Sequence, residues 1–398
     1  MKTRIQIVDA LRGFSLAGIV LVHFVERFIG SPSPPEVLAS LQSGIPNGIV
    51  NGFIFLILRG KFFALFSFLF GLSFFIQMDN ASQRGDAYQG RFIWRMVLLF
   101  IIGFLHHLFY RGDILTIYAL LAIPLIPFFN LSNRVIWVVI IFLFLGLPKL
   151  MIQQLVGGGS LFNAGFMDPE SVAVFNYWNT LTTGNWSDVA YLNAGSGFLA
   201  KLDFQFTVFG RGYLTFAFFL MGLWIGRINY FRDLIAHRTR TRNLIFISLG
   251  GFLVSGILTG LFFNKSGNPP DFGNVFGILG LTFYDLANLF TTIIIIGVFV
   301  LVYIRKWGEK LLGHFTAYGR MALSNYVFQS IFGTFLLYNW GVGFITKWQD
   351  YELFLIGILV IFIQIMISKW WLKIYYYGPL EWLWRCGTKL ERVPLKRK

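Results

Sequence analysis

Residues 274–304 read NVFGILGLTFYDLANLFTTIIIIGVFVLVYI, an almost unbroken apolar run whose single charge is Asp285. About 20 apolar residues at 1.5 Å rise cross the roughly 30 Å of hydrocarbon in a bilayer, so a run of this length reads as a membrane span. The rest of the chain agrees. Of 398 residues, 56% are hydrophobic, 19% aromatic and only 13% charged, where a soluble domain carries charge on about a quarter. Forty-seven Phe cannot be hidden in one soluble core of this size. Disorder, collagen and coiled coil are excluded with it. The lone Cys386 removes a disulfide framework and a thiolate metal cluster.

Working outward, further runs that reach or approach membrane length lie at 11–29, 62–78, 92–110, 114–130, 135–155, 204–227, 243–263, 316–338 and 351–372. The basic start, with Lys2 and Arg4, resembles a signal peptide, but the run continues past Phe24 with no small-residue cleavage site, so it reads as a retained first span. Asn47 to Leu58 is also apolar and is parted from the second span by Arg59-Gly60-Lys61. It is read as a re-entrant or surface-lying segment, with Arg59 and Lys61 snorkelling at the interface.

Numbering outward from a cytoplasmic N-terminus puts 22 Lys and Arg on inner segments, including Arg84, Arg91, Arg95, the Arg227 to Arg242 cluster and the tail to Lys398. Outside stand only Arg111, Lys201, Lys265 and Lys347. The expected fold is therefore an all-α integral membrane protein. It is a polytopic helical bundle of about ten transmembrane helices with both termini cytoplasmic, and one domain over 1–398. Residues 156–203, opening on Gly157-Gly158-Gly159, form an extracytoplasmic loop capping the bundle. The formal net charge of +15 is then mostly positive-inside bias and not a nucleic-acid footprint.

Ionisable side chains inside spans cost about 2.5–3.5 kcal/mol each on insertion scales, so each needs a partner or a task. The spans hold Asp9 and Arg12, His23, His106 and His107, Arg211, Asp285 and Arg320, with Asn288, Asn325, Gln329 and Gln364 as uncharged company. Asp9 and Arg12 are three apart and suit an intrahelical pair; His23 suits either helix packing or chemistry. His106 and His107 diverge by about 100°, so only one is expected to face a cavity shared with His23 while the other bonds a neighbouring helix. Asp285 needs a base, with Arg211 or a histidine as candidates. Neither an HExxH zinc motif nor a G-x-S-x-G nucleophile elbow occurs, and no metal is expected.

The opening RIQIVDALRGFSLAGIVLVH (4–23) resembles that of the YeiB family of bacterial inner-membrane proteins. KFFALFSFLFG (61–71), GDILTIYA (112–119), YGRMALSNYVFQS (318–330) and YGPLEWLWR (377–385) are similar to its other signatures. The resemblance implies membership of the transmembrane acyltransferase superfamily, with heparan-alpha-glucosaminide N-acetyltransferase and the sugar O-acyltransferases. These take an acyl group from cytosolic acyl-CoA and pass it to an acceptor across the membrane. It implies a bacterial cytoplasmic-membrane location. It also places His23, fourteen residues after Asp9, at the superfamily's active-site position, where most YeiB proteins carry Asn. The heparan enzyme's catalytic histidine follows this span, and Phe24 to Leu58 here contains none.

On this reading acyl-CoA, such as acetyl-CoA, is the co-substrate, and Asp9, Arg12, Arg91, Arg95, Arg320 and Asn325 hold it at the inner mouth. His23 is the general base, with His106 and Asp285 assisting. Imidazole suits that task near neutral pH, and arginines suit the phosphates of CoA. The acceptor is an extracytoplasmic glycan, lipid, or small amine or alcohol; lipids and a second copy of the chain are the other partners. The competing readings are a proton-coupled secondary transporter and a lipid- or quinone-binding protein without turnover.

Overall fold

The computed structural model describes residues 5–30, 32–85, 88–156, 160–162 and 168–397. Lys2, Arg4, Lys398 and the Gly157-Gly158-Gly159 connection therefore lie outside the described residues. Among those described the chain is all-helical, with one isolated bridge between Tyr375 and Lys396.

Among the described residues six stretches are long and apolar enough to cross a membrane. They are α1 (Gln6–Val25), the run Ile45–Ser82, α5 (Tyr88–His107), α13 (Arg238–Ser266), α14 (Val275–Tyr303) and α18 (Asp350–Ile374). Between the first two lies the short α2 (Pro35–Gln42). Two bent pairs raise the number to eight if each is one span: α7 (Asn133–Phe144) with α8 (Leu147–Val156), bent by 48°, and residues 186–206 with α12 (Arg211–Arg227), bent by 60°. Two more apolar helices are shorter, α6 (Leu115–Phe128) and α17 (Ala322–Leu337). Six to eight membrane-length helices among the described residues thus stand beside an expectation of about ten.

The interruptions have local causes. The 135–155 run turns at Gly146, whose φ of +68° favours glycine and whose added Cβ would lie 2.2 Å from the Thr282 hydroxyl. The 204–227 run turns at Gly210, also left-handed, so α11 (Phe198–Phe206) ends before α12 begins. The 316–338 run breaks at Met321 into α16 (Phe315–Arg320) and α17. Residues 45–58 are helical, as α3 (Ile45–Phe53) and a π-helical turn, and lead through Arg59-Gly60 into α4 (Lys61–Ser82) as one apolar run. Lys61 does not snorkel: it is buried and donates to the Phe55 carbonyl at 2.7 Å, closing the end of that turn. Within 156–203 the described helices are α9 (Val172–Thr183), α10 (Trp186–Leu192) and α11. Tyr177 and Trp178 of α9 join a hydrophobic core with Phe24, Phe28 and Leu353. The remaining helices are α15 (Lys306–Leu312) and α19 (Pro379–Lys389).

Close helix crossings hold the centre together. A Cβ on Gly319 would lie 1.9 Å from the Asp9 carbonyl, and one on Gly13 would lie 2.3 Å from that of Phe315, so α1 and α16 touch backbone to backbone. Gly71 and Gly222 make the same kind of contact between α4 and α12. Small residues permit such approach in a membrane, where packing replaces the hydrophobic drive between helices.

Candidate functional site

The α1–α16 crossing sets Arg12 and Arg320 at the mouth of a cavity of about 930 Å³. Arg12 donates to Asp9 at 2.9 Å and to the Ser73 hydroxyl at 2.8 Å, which ties α1 to α4. Arg95 lies 3.7 Å from the Trp384 ring centroid, and the Trp384 indole donates to the Arg95 carbonyl at 2.9 Å. Arg385 joins these residues in the wall. Glu381 accepts from the backbone amides of Leu323 and Ser324 at 2.7 and 3.1 Å and so covers the first turn of α17. Burial pushes its carboxyl above the ordinary range.

Eleven residues along α1 from Arg12, about 16 Å, His23 lines the same cavity. Gln329 of α17 approaches its Nδ1 at 3.1 Å, and the rings of Tyr110, Phe28 and Tyr326 pack around it at 5.0, 5.5 and 6.0 Å. The two adjacent histidines of α5 diverge. His106 Nδ1 is 2.8 Å from Asp113, while His107 Nε2 meets the Asn193 carbonyl at 2.9 Å. Neither lines the cavity; His106 packs ring to ring with Tyr326 at 5.2 Å, and its buried Nε2 has no partner among the described residues. Asp113 does line the cavity, and it also receives the amides of Leu115 and Thr116. Burial alone would raise its carboxyl, but Lys201 and the His106 and Thr116 hydrogen bonds outweigh it and hold Asp113 below the usual carboxylate range.

The other expected site residues are distributed differently. Asp285 has a base, but it is Lys149 of α8, not Arg211 or a histidine, and the acid does not line the cavity. Asn325 turns to Ser368 at 2.9 Å and to the Tyr318 carbonyl at 3.3 Å, knitting α17 to α16 and α18. Arg91 is exposed on α5, away from the wall. The cavity thus brings together Arg12, Arg95, Arg320 and His23, and leaves Asp9, Arg91, Asn325, His106 and Asp285 outside its lining.

Past His23 in the chain, Glu26 lines the cavity too, and so do Arg59, Arg111, Lys201, Gln205 and Arg211. Arg59 bonds Glu26 at 2.7 Å, and the Arg111 guanidinium stacks on Tyr177 at 3.7 Å. Nearby, Arg27 is buried and paired with the buried Asp350, which also accepts from Asn51 at 2.9 Å. Sequence reasoning passed over Arg27, Asp113, Lys149, Asp350 and Glu381. Asp113 and Glu381 stand within the GDILTIYA and YGPLEWLWR stretches; the partners of Arg27, Lys149 and Asp350 lie far away in the chain.

Residues 225–391 match the family described as "Protein of unknown function (DUF418)". The chain is similar to the uncharacterised protein YxaH of Bacillus subtilis (strain 168), 26% identical over 412 residues, covering 99% of this chain and 96% of the relative. It is 27% identical over 415 residues to a 39.9 kDa protein encoded in the amylase 3' region of Bacillus acidopullulyticus, covering 100% and 97%. It is 25% identical over 395 residues to YeiB of Escherichia coli (strain K12), covering 95% and 94%. These similarities support a YeiB-type protein.

Proposed function

We propose that this protein is a multi-pass acyltransferase of the bacterial cytoplasmic membrane that passes an acyl group from cytosolic acyl-CoA to an acceptor on the opposite face. The observation that carries this reading is one continuous cavity with arginines at one end and a histidine partway along it. At about 930 Å³ it falls in the range of sites that enclose a drug-sized ligand. Arg12, Arg95, Arg320 and Arg385 suit the phosphates of CoA; the positive-inside bias makes their end cytoplasmic. Phe62, Phe66, Phe70 and Leu99 line the passage between, an apolar sleeve for the pantetheine arm.

In the reaction the acceptor's hydroxyl or amine attacks the thioester carbonyl and gives its proton to His23. The carbon–sulfur bond breaks, the acyl group stays on the acceptor, and the CoA sulfur leaves as thiolate and takes the proton from the His23 imidazolium, which restores the base. A base at Nε2 needs the imidazole proton on Nδ1; Gln329 meets Nδ1 with its amide Nε2 at 3.1 Å, and turning that amide over brings Oε1 there to accept the Nδ1 proton. The two ends of that amide are isosteric, and its Oε1 otherwise has no partner among the described residues.

Calorimetry of the purified protein with acetyl-CoA tests the donor half directly: saturable binding is expected, and its absence sinks the reading. A proton-coupled transporter is the second reading, favoured by a polar lining at both ends of the cavity; it requires solute flux in vesicles without acyl-CoA.

A further inference from the structure

Arg211 is the first residue of α12, directly after left-handed Gly210. Its guanidinium lies 3.3 Å from the Phe63 ring centroid and lines the cavity that His23 also lines. Stacking satisfies the face of a guanidinium but not its edge, which carries five N–H donors. Among the described residues no hydrogen-bond acceptor meets that edge, and its nitrogens are not sealed from the cavity. Asp285, the acid expected to pair with it, is taken by Lys149.

The surroundings sharpen the imbalance. Lys61 and Arg59 add positive charge near Arg211, while Glu26 is bonded to Arg59. Four cations, Arg59, Lys61, Lys149 and Arg211, thus face two acids, Glu26 and Asp285. The N-terminal end of α12 adds the positive pole of a 17-residue helix. An unpaired guanidinium among membrane helices is costly unless a water-filled cavity or a ligand meets it. The fork of N–H groups matches the paired oxygens of a phosphate or carboxylate.

We propose that the cavity binds the phosphate or carboxylate of an anionic ligand on the edge of the Arg211 guanidinium. Resting on the acyltransferase reading, that ligand is the acceptor, held with its hydroxyl or amine toward His23. The same anionic group is carried by a soluble phosphate ester or acid and by a lipid headgroup, and the experiment separates the sources.

Purified protein in a non-ionic detergent is titrated with glycerol 3-phosphate, succinate and phosphatidylglycerol, with diacylglycerol as the phosphate-free lipid control. Binding is read by thermal unfolding and native mass spectrometry in wild type, Arg211→Gln and Arg211→Lys. At least one anionic probe is expected to bind wild type and diacylglycerol to bind far more weakly. Affinity is expected to fall about tenfold or more in the Gln variant, the loss of a charged hydrogen bond, and less in the Lys variant, which keeps charge but not the fork. Binding by phosphatidylglycerol alone assigns a lipid ligand; binding by glycerol 3-phosphate or succinate assigns a soluble one. No binding of any anionic probe to wild type, or unchanged affinity in Arg211→Gln, overturns the proposal. Should Arg211→Gln not fold, unchanged affinity in Arg211→Lys overturns it and a loss of about threefold or more supports it. Acetyl-CoA binding on the same preparations reports the donor reading separately: its absence beside a working anion site removes the acyltransferase reading only, and the reverse removes the Arg211 site only.

Discussion

Over its most apolar stretch α1 has 72% of its residues buried inside the protein, and α13 has 11%. Both helices are long and apolar enough to cross a membrane, so hydropathy alone does not distinguish them. Their partners do. α13 packs as a hairpin against α14, with Gly251 receiving the Phe290 ring and Gly280 the Phe263 ring, and leaves Phe246, Ile247, Leu253 and Ile257 exposed. α1 is enclosed by α4, α16, α17 and α18 and carries Asp9, Arg12 and His23 into contact with other helices. A hydrocarbon solvent accepts the first kind of helix as it is. The second kind tolerates polar atoms because protein, not lipid, surrounds it.

The contrast is most exposed to test at His23. Replacing His23 by Ala should lower acyl transfer by about 10² to 10⁴ while leaving acetyl-CoA affinity largely unchanged, the pattern of a lost general base. Retained transfer would refute the catalytic role; loss of transfer and binding with a lower melting temperature would return His23 to a packing residue. Next in size, Asp350→Ala leaves the buried Arg27 uncompensated and should cost about 3–5 kcal/mol of stability, read by thermal or denaturant unfolding in detergent. A shift no larger than that of an exposed α13 substitution would mean the pair is solvated. Arg12→Ala should weaken acetyl-CoA binding by about 1.5–3 kcal/mol through a lost charged hydrogen bond, whereas Arg91→Ala, on the outer face of α5, should not. Equal losses by calorimetry would erase the distinction between lining and exposed arginines. The smallest effect belongs to the hairpin: Gly250→Ala, with open space at its Cβ, should change stability by within about 0.5 kcal/mol, while Gly319→Ala must push apart α1 and α16 and should destabilise clearly. Similar melting temperatures for the two variants would contradict the close crossing.

Much of the helical layout was legible because hydropathy at membrane length is a local signal. Residues 243–263, 274–304 and 351–372 fall within α13, at α14 and within α18, displaced only at their ends. The breaks at Gly146, Gly210 and Met321 were not legible, since a glycine or methionine in an apolar run does not declare its backbone angles. Of the site, the neighbourhood of Arg12, Arg95, Arg320 and His23 followed from rise per residue along single helices. The pairings did not: Lys149 meets Asp285 across 136 residues and Arg27 meets Asp350 across 323. Such contacts depend on which helices become neighbours, and no periodicity encodes that. Lys149 in particular was submerged in an apolar run that continues on both sides of it.

The 323 residues between Arg27 and Asp350 are also an interval of time. At synthesis rates of about 5–20 residues per second, Arg27 leaves the ribosome some 15–65 s before its carboxylate exists. α14 follows α13 within seconds, so that hairpin can close almost as it is made. The first helix gains α4 within seconds, and with it Ser73 for Arg12, but His23 and the Arg27 that follows α1 must wait until the last third of the chain brings Gln329 and Asp350. Two residues of the cavity, His23 and Arg27, are thus among the last to find their partners.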